Sequence, residues 1–312
     1  MIPNPRVLAF LVAAIVAVAG TWAVRGDWAS PDDAALQSHF ATNSPWRILI
    51  SADPEIDPGS TSMIAAVSSP PALHANLVEF AIPIYAVDAD TPTHRVSCTA
   101  EWGICPFAGW PVPIPDGAYP HAGSDGAMVT VDESAGTSFE FWRAAANDGR
   151  WAVSWGAVNS ARGSGWGGES TGSGASRLAG VIRLSEIEAG VIPHALALQS
   201  SSACESFRAP ALKSDGRSPG PDCIPQGARL QLDPDLNLAE LDLSPGARAV
   251  ATAMQQYGGY LMDVADTALS VSFELDTAAA PGALGEIYEK AGFRWDYDAM
   301  ENVPWAQLRV LA

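Results

Sequence analysis

Gly and Pro punctuate this chain so often that little room is left for long helices. They supply 28 and 24 of its 312 residues. Pro lacks a backbone donor and Gly loses much conformational freedom on ordering, so each interrupts a helical ladder. The segments between them are short and alternate apolar with polar: Met128 to Asp132 (MVTVD), Ser138 to Arg143 (SFEFWR) and Trp151 to Val158 (WAVSWGAV). Leu77 to Val87, Val191 to Leu198, Ala228 to Leu232, Gly259 to Asp263 and Leu269 to Leu275 complete the set. Short strands at this density predict an all-β chain, a two-sheet antiparallel β-sandwich of jelly-roll type over residues 76–312.

Two packed helices are expected beside the sheets. Ser185 and Glu188 have the capping-box spacing, with Gly190 as a stop. Ser244-Pro245 opens a longer helix with Pro at its first position, ended by Gly258-Gly259. Residues 25–75 read as an N-terminal extension, with Ser60 placed to cap a short helix over Met63 to Val67.

The first 24 residues bear on compartment. Val7 to Val24 is uncharged and lies between Arg6 and Arg25. Val7 to Val16 has the size of a signal-peptide apolar region, and Ala17-Val18-Ala19 offers small residues for cleavage. The alternative is an uncleaved signal anchor. Four cysteines agree with export. Of the three possible connectivities, Cys98–Cys105 with Cys204–Cys223 is preferred, because each closes a short loop of Pro, Gly or polar residues. The spacings do not fit zinc.

A formal net charge of −18, from 17 basic and 35 acidic residues, argues against nucleic acid or anionic lipid as partner. An acidic exterior favours a neutral glycan or cell-wall polysaccharide over an anionic one. Eleven tryptophans add to that expectation, since an exposed indole is a stacking platform for a sugar ring.

The candidate chemistry centres on Gly126 to Arg143, read as a hairpin. Pairing Val131 with Phe139 and Val129 with Phe141 collects the apolar side chains on one face. Glu140 and Asp132 then become diagonal neighbours, roughly 7–8 Å apart, beside Trp142. Two carboxylates and an indole are what glycoside hydrolysis requires. The plainer alternative is a solvated strand face. Asp125, in a Ser-Asp-Gly turn, and His121 lie at the mouth of the hairpin. His194 is a core residue or, if its strand lines a cleft, a general acid/base. Trp155 and Trp166 join Trp142 as candidate sugar contacts, Trp166 from the glycine-rich loop 163–174; Trp102 and Trp110 sit in Gly- and Pro-rich surroundings. No cofactor is expected beyond structural calcium at the pairs Asp88/Asp90, Asp233/Asp235 or Asp296/Asp298, whose first reading is surface turns.

Several segments, among them GSDGAMVTVD, FEFWRA, SRLAGVIRLSEIEAGVIPHALAL and MQQYGGYLMD, resemble a family of exported proteins of high-GC Gram-positive, actinobacterial-type organisms to which no reaction is assigned. The resemblance covers about residues 76–312. It implies lineage and export and carries no catalytic residue across. The strand pattern is also similar to lectin and glucanase sandwiches, although the Glu-x-Asp-x-x-Glu strand motif of secreted β-glucanases is absent. The expectation is therefore a secreted, glycan-directed protein. It is either a glycosidase or lyase working through a carboxylate pair, or a non-catalytic carbohydrate-binding or cell-surface structural protein.

Overall fold

Strands dominate the described residues 39–67, 72–147, 149–168 and 170–312: there are seventeen, against four α-helices. In this computed structural model they belong to one compact unit, Gln37–Ala312. The expected signal segment lies outside the described residues.

The larger sheet has six strands in the order His74–Asn76, Ser270–Ser272, Leu196–Ser200, Gly259–Val264, Arg229–Leu232 and Leu308–Val310. Its first and third neighbour pairs are parallel and the others antiparallel. A second sheet orders Trp155–Ser160, Thr137–Trp142, Met128–Asp132 and Ile84–Val87, and its last pair is also parallel. The chain is strand-rich as expected. The sheets are mixed, however, which corrects the purely antiparallel arrangement.

Alternation along the strands sorts side chains into separate cores. Leu196 and Leu198 point into a core shared with Val250 and Met254 of the helix Pro245–Gln256. Ala197, Tyr260 and Met262 point the other way, into a core shared with Val129 and Val131 of the second sheet. Met128, Phe139 and Phe141 leave the far side of that sheet and pack with Phe107, Trp151 and Val153. The second sheet is thus buried on both faces. The segment 40–67 also enters the cores, through Phe40, Trp46, Met63, Ile64 and Val67.

The helix Pro245–Gln256 starts as its sequence implies. Ser244 Oγ accepts the Ala247 N–H at 3.2 Å, and Gly258 beyond the end has φ +65°. The helix Leu184–Ala189 begins earlier than expected. Its box joins Arg183 and Glu186, whose carboxylate accepts the Arg183 N–H at 2.8 Å, while Gly190 closes it in the left-handed conformation.

The hairpin register differs by one residue from expectation. Val129 faces Glu140, Thr130 faces Phe139 and Val131 faces Ser138. Asp132 and Thr137 close the strands around the turn 133–136. Glu140 therefore shares the valine face. Both faces of the sheet are covered, so no solvated face was available to receive it.

The segment 151–158 also departs from one continuous strand. Arg150–Val153 joins a three-stranded sheet with Val96–Cys98 and Ala145–Asn147, and Trp155–Ser160 pairs with Thr137–Trp142. The chain changes sheet at Ser154, whose N–H donates to the Trp142 carbonyl at 2.9 Å. Two disulfides are formed, Cys98–Cys105 and Cys204–Cys223.

Candidate functional site

The open end of the hairpin meets the Asp263 end of the larger sheet at a cleft of about 850 Å³. That volume lies in the range of small-molecule binding clefts.

One side of it is aromatic. The register pairs Trp142, the last residue of its strand, with Trp155, the first of the next. Trp102, on the Cys98–Cys105 loop, stacks on Trp142 with ring centres 5.7 Å apart and an interplanar angle of 20°. It meets Trp155 at the same separation, tilted. Trp102 remains 66% exposed. Arg143 lies over the Trp142 ring at 4.5 Å. The Asp-Gly turn is stitched to this corner: Asp125 O accepts the Arg143 N–H at 2.7 Å, and Asp125 Oδ1 accepts Trp142 Nε1–H at 3.0 Å. The turn residue predicted at the hairpin mouth thus orients the indole.

The other side is acidic. Asp263 is the last residue but one of the otherwise apolar strand Gly259–Val264. Its Oδ1 accepts the N–H of Val264 at 3.1 Å and of Gly172 at 3.3 Å. Arg177 Nη1 faces Oδ2 at 3.3 Å. Burial pushes its carboxyl up to about 7. Arg177 opposes that rise, while the charges of Asp215 and Asp125 and a hydrogen bond with Asp215 add to it. Asp215 comes from the loop closed by Cys204–Cys223 and is held by Gln226 Nε2. A carboxylic acid that keeps its proton near neutrality is equipped to give it to a leaving group.

His121 lines the same cleft, 4% exposed, with its ring 5.6 Å from Phe80. Burial, then the charge of Arg177, lowers its pKa to about 4, so it is neutral at physiological pH. Its Nδ1 has no hydrogen-bond partner among the described residues. Trp295 and Tyr297 add a second aromatic pair to the lining. The charged lining is balanced. Asp125, Asp215, Asp263 and Asp266 stand against Arg143, Arg177, Lys213 and Arg217, in a chain with twice as many acidic as basic residues.

The other predicted residues lie elsewhere. Glu140 is fully buried and absent from the cleft lining. Its oxygens accept from the hydroxyls of Ser138, Ser170 and Ser176 and from the Arg177 N–H. Asp132 sits a strand away, at the turn end of the hairpin. It accepts from Ser134 Oγ at 2.7 Å and the Ala135 N–H at 2.9 Å. Those bonds, the backbone one foremost, hold it below the usual carboxylate range. The expected Asp132–Glu140 pair beside Trp142 therefore does not form.

His194 precedes the strand Leu196–Ser200 and does not line the cleft. Its Nε2 meets the Glu186 carboxylate at 3.1 Å and its Nδ1 the Ala195 carbonyl at 2.9 Å. Burial opposes its charge, but the Glu186 carboxylate and the two hydrogen bonds together raise its pKa. Both ring nitrogens face acceptors, so it is held in a structural network rather than turned toward the cleft. Trp166 stacks on Trp46 at 5.2 Å and packs edge-on to Tyr260, in core rather than cleft. Trp110 packs edge-on to Phe139 and is not part of the lining.

Four members of the acidic pairs raised as calcium ligands, Asp88, Asp233, Asp296 and Asp298, accept backbone N–H groups. Asp296 accepts three N–H groups, from Leu77, Val78 and Glu79; Asp298 accepts from Arg294 and Met300. Asp88 and Asp233 each close a turn onto the residue two ahead. Among the described residues no group of three or more His, Cys, Asp or Glu is placed to hold a metal ion.

Asp263, Asp215 and Arg177 were not foreseen. The one local signal was an acidic residue ending an apolar strand at GYLMD. Comparison with family models, with curated proteins and with solved structures returned no match.

Proposed function

We propose that the cleft binds a neutral glycan and that Asp263 is the general acid of a glycosidase acting on it. The observation that carries this reading is one cleft with two components. The indoles of Trp102, Trp142 and Trp155 supply apolar platforms, and Asp263 supplies a carboxyl pushed up to about 7. Sugar rings would stack on the indoles. Asp263 would protonate the glycosidic oxygen as the bond to the anomeric carbon breaks. Asp125, close enough for its charge to act on Asp263, is the second carboxylate. It would attack the anomeric carbon or take a proton from the attacking water. Asp215 hydrogen-bonds Asp263 and so is too near to flank a bond opposite it. Its role is to keep the acid protonated. Elimination by a lyase requires an acidic sugar, which fits a chain of charge −18 less well than hydrolysis does.

The two disulfides indicate an oxidising environment, and no helix among the described residues is long and apolar enough to cross a membrane. Export belongs to our proposal. So does the reading of the two larger sheets, which share a core, as a modified sandwich.

One observation favours a non-catalytic carbohydrate-binding protein. Two N–H groups and Arg177 already engage both Asp263 oxygens, and the side chain is only 12% exposed. Incubation of the oxidised protein with a panel of neutral polysaccharides separates the readings. Wild type should release reducing sugar. Asp263→Asn should bind equally and cleave at least about a hundredfold more slowly, the scale of general acid catalysis. Binding without cleavage by the wild type would establish the non-catalytic reading. No binding to any member would end both.

A further inference from the structure

We infer that Glu140 is a positioning residue. From behind the cleft it clamps the segment 170–177 so that Gly172 and Arg177 are held against Asp263. The inference rests on the reading of Asp263 as the working acid, but its geometry stands independently.

Glu140 is fully buried in the middle of a strand, and no ion-pair partner for it is found among the described residues. Burying such a group without partners would be costly. Here four donors converge on it, and three come from one segment thirty or more residues later. Ser170 Oγ and the Arg177 N–H donate to Oε2, and Ser176 Oγ donates to Oε1. Ser138, two residues earlier on the same strand, donates to Oε1 at 2.9 Å.

Both ends of the segment are thus tied to one carboxylate, and what lies between them reaches the acid. Gly172 N–H donates to Asp263 Oδ1, and the Ser173 N–H donates to the Met262 carbonyl at 3.1 Å. The Arg177 guanidinium closes the loop on itself through the Ser170 carbonyl at 2.8 Å, and its other Nη faces Asp263. The fit is close. A Cβ on Gly172 would stand 2.1 Å from an Asp215 oxygen. The same segment therefore buries Asp263, supplies its cation and shapes the space occupied by Asp215. Asp125 is the remaining charged group acting on Asp263.

The test uses Glu140→Gln. The amide keeps the volume but replaces one acceptor oxygen by an NH₂, so in either orientation at least one donor of the segment, Ser176 or the Ser170–Arg177 pair, loses its acceptor, and the segment is expected to lift. Burial is the largest influence on Asp263 and Arg177 a smaller, opposite one. Lifting the segment should therefore lower the Asp263 pKa, by about one pH unit or more. Arg177→Met removes only the cation and should move it upward. Both are read by carbon NMR titration of the Asp263 carboxyl, assigned with Asp263→Asn, and no glycan is needed. If Glu140→Gln melts earlier but leaves the Asp263 titration unmoved, Glu140 is merely structural and the inference fails. If Glu140→Gln does not fold, Ser176→Ala decides by the same shift, in the same direction, or its absence. A moved titration in a protein that cleaves no glycan would uphold the positioning role while sinking the glycosidase reading.

Discussion

Asp263 costs the fold stability at the pH at which it is useful. Its carboxyl is pushed from 3.8 in an ordinary setting to about 7. Between those values the folded chain holds a proton that the unfolded chain has released. Stability must therefore fall as pH rises through that window. Below about pH 4 both states are protonated and the penalty vanishes. Asp263→Asn, uncharged at every pH, should therefore melt higher than wild type at pH 8, and the advantage should shrink toward zero near pH 4. Calorimetry across the range checks it. A constant difference, or one that grows in acid, would place the Asp263 pKa elsewhere. A residue that destabilises its own fold is a mark of use rather than of packing. His121 has the opposite linkage. Its pKa, lowered to about 4, makes it a group that must stay uncharged, so its contribution is lost as pH falls from about 6.5 toward 4.

At the scale of elements, the cleft is built where strands end. Trp142 and Trp155 meet across a register, Asp263 is the last residue but one of its strand, and Trp102 arrives on a loop of only six residues between its cysteines. Trp102→Ala removes an exposed indole that is not part of any core, so the fold should hold. Glycan affinity should fall about five- to tenfold, roughly 1 kcal/mol of lost stacking. Titration of an oligosaccharide checks it. Unchanged affinity would remove the aromatic side from the proposed site.

The strand-rich character and the strands 128–132, 138–142, 229–232 and 259–263 were readable from alternation; the helix capped at Ser244, the two disulfides and the turn at Asp125 were readable from local residue chemistry. The register was not. A one-residue shift puts Glu140 among valines, which burial argues against when only the hairpin is considered. What reverses the argument is a set of hydroxyls at Ser170 and Ser176, in a segment whose glycines announced only a loop. Asp263 and Asp215 were hidden for the same reason. Their meaning comes from Arg177 and from each other, at separations that periodicity does not span.

At the scale of the whole molecule, two cross-links hold the cleft's two sides. The Cys98–Cys105 loop carries Trp102, and the Cys204–Cys223 loop carries Lys213, Asp215 and Arg217. Opening the larger loop alone should cost about 3 kcal/mol in the chain-entropy account, or roughly 6–12 °C of melting temperature for a unit of this size. Thermal melts of the Cys204→Ala/Cys223→Ala double variant against wild type check the figure. Glycan binding should be lost at temperatures where the reduced protein is still folded, because both aromatic and acidic sides depend on the cross-linked loops. Binding that survives until global unfolding would show that the cross-links serve the fold alone.

The near balance of charge within the cleft has a consequence for encounter. Four acidic and four basic residues line it, and Asp263 holds its proton over much of the range up to neutrality, so the cleft carries none of the negative excess, which lies on the rest of the molecule. An approaching uncharged chain is neither drawn in nor turned away, and dissolved salt has little to screen at the point of contact. Two copies of the protein, by contrast, meet acid against acid over most orientations. The molecule holds its own kind at a distance while leaving one neutral opening to the surrounding water.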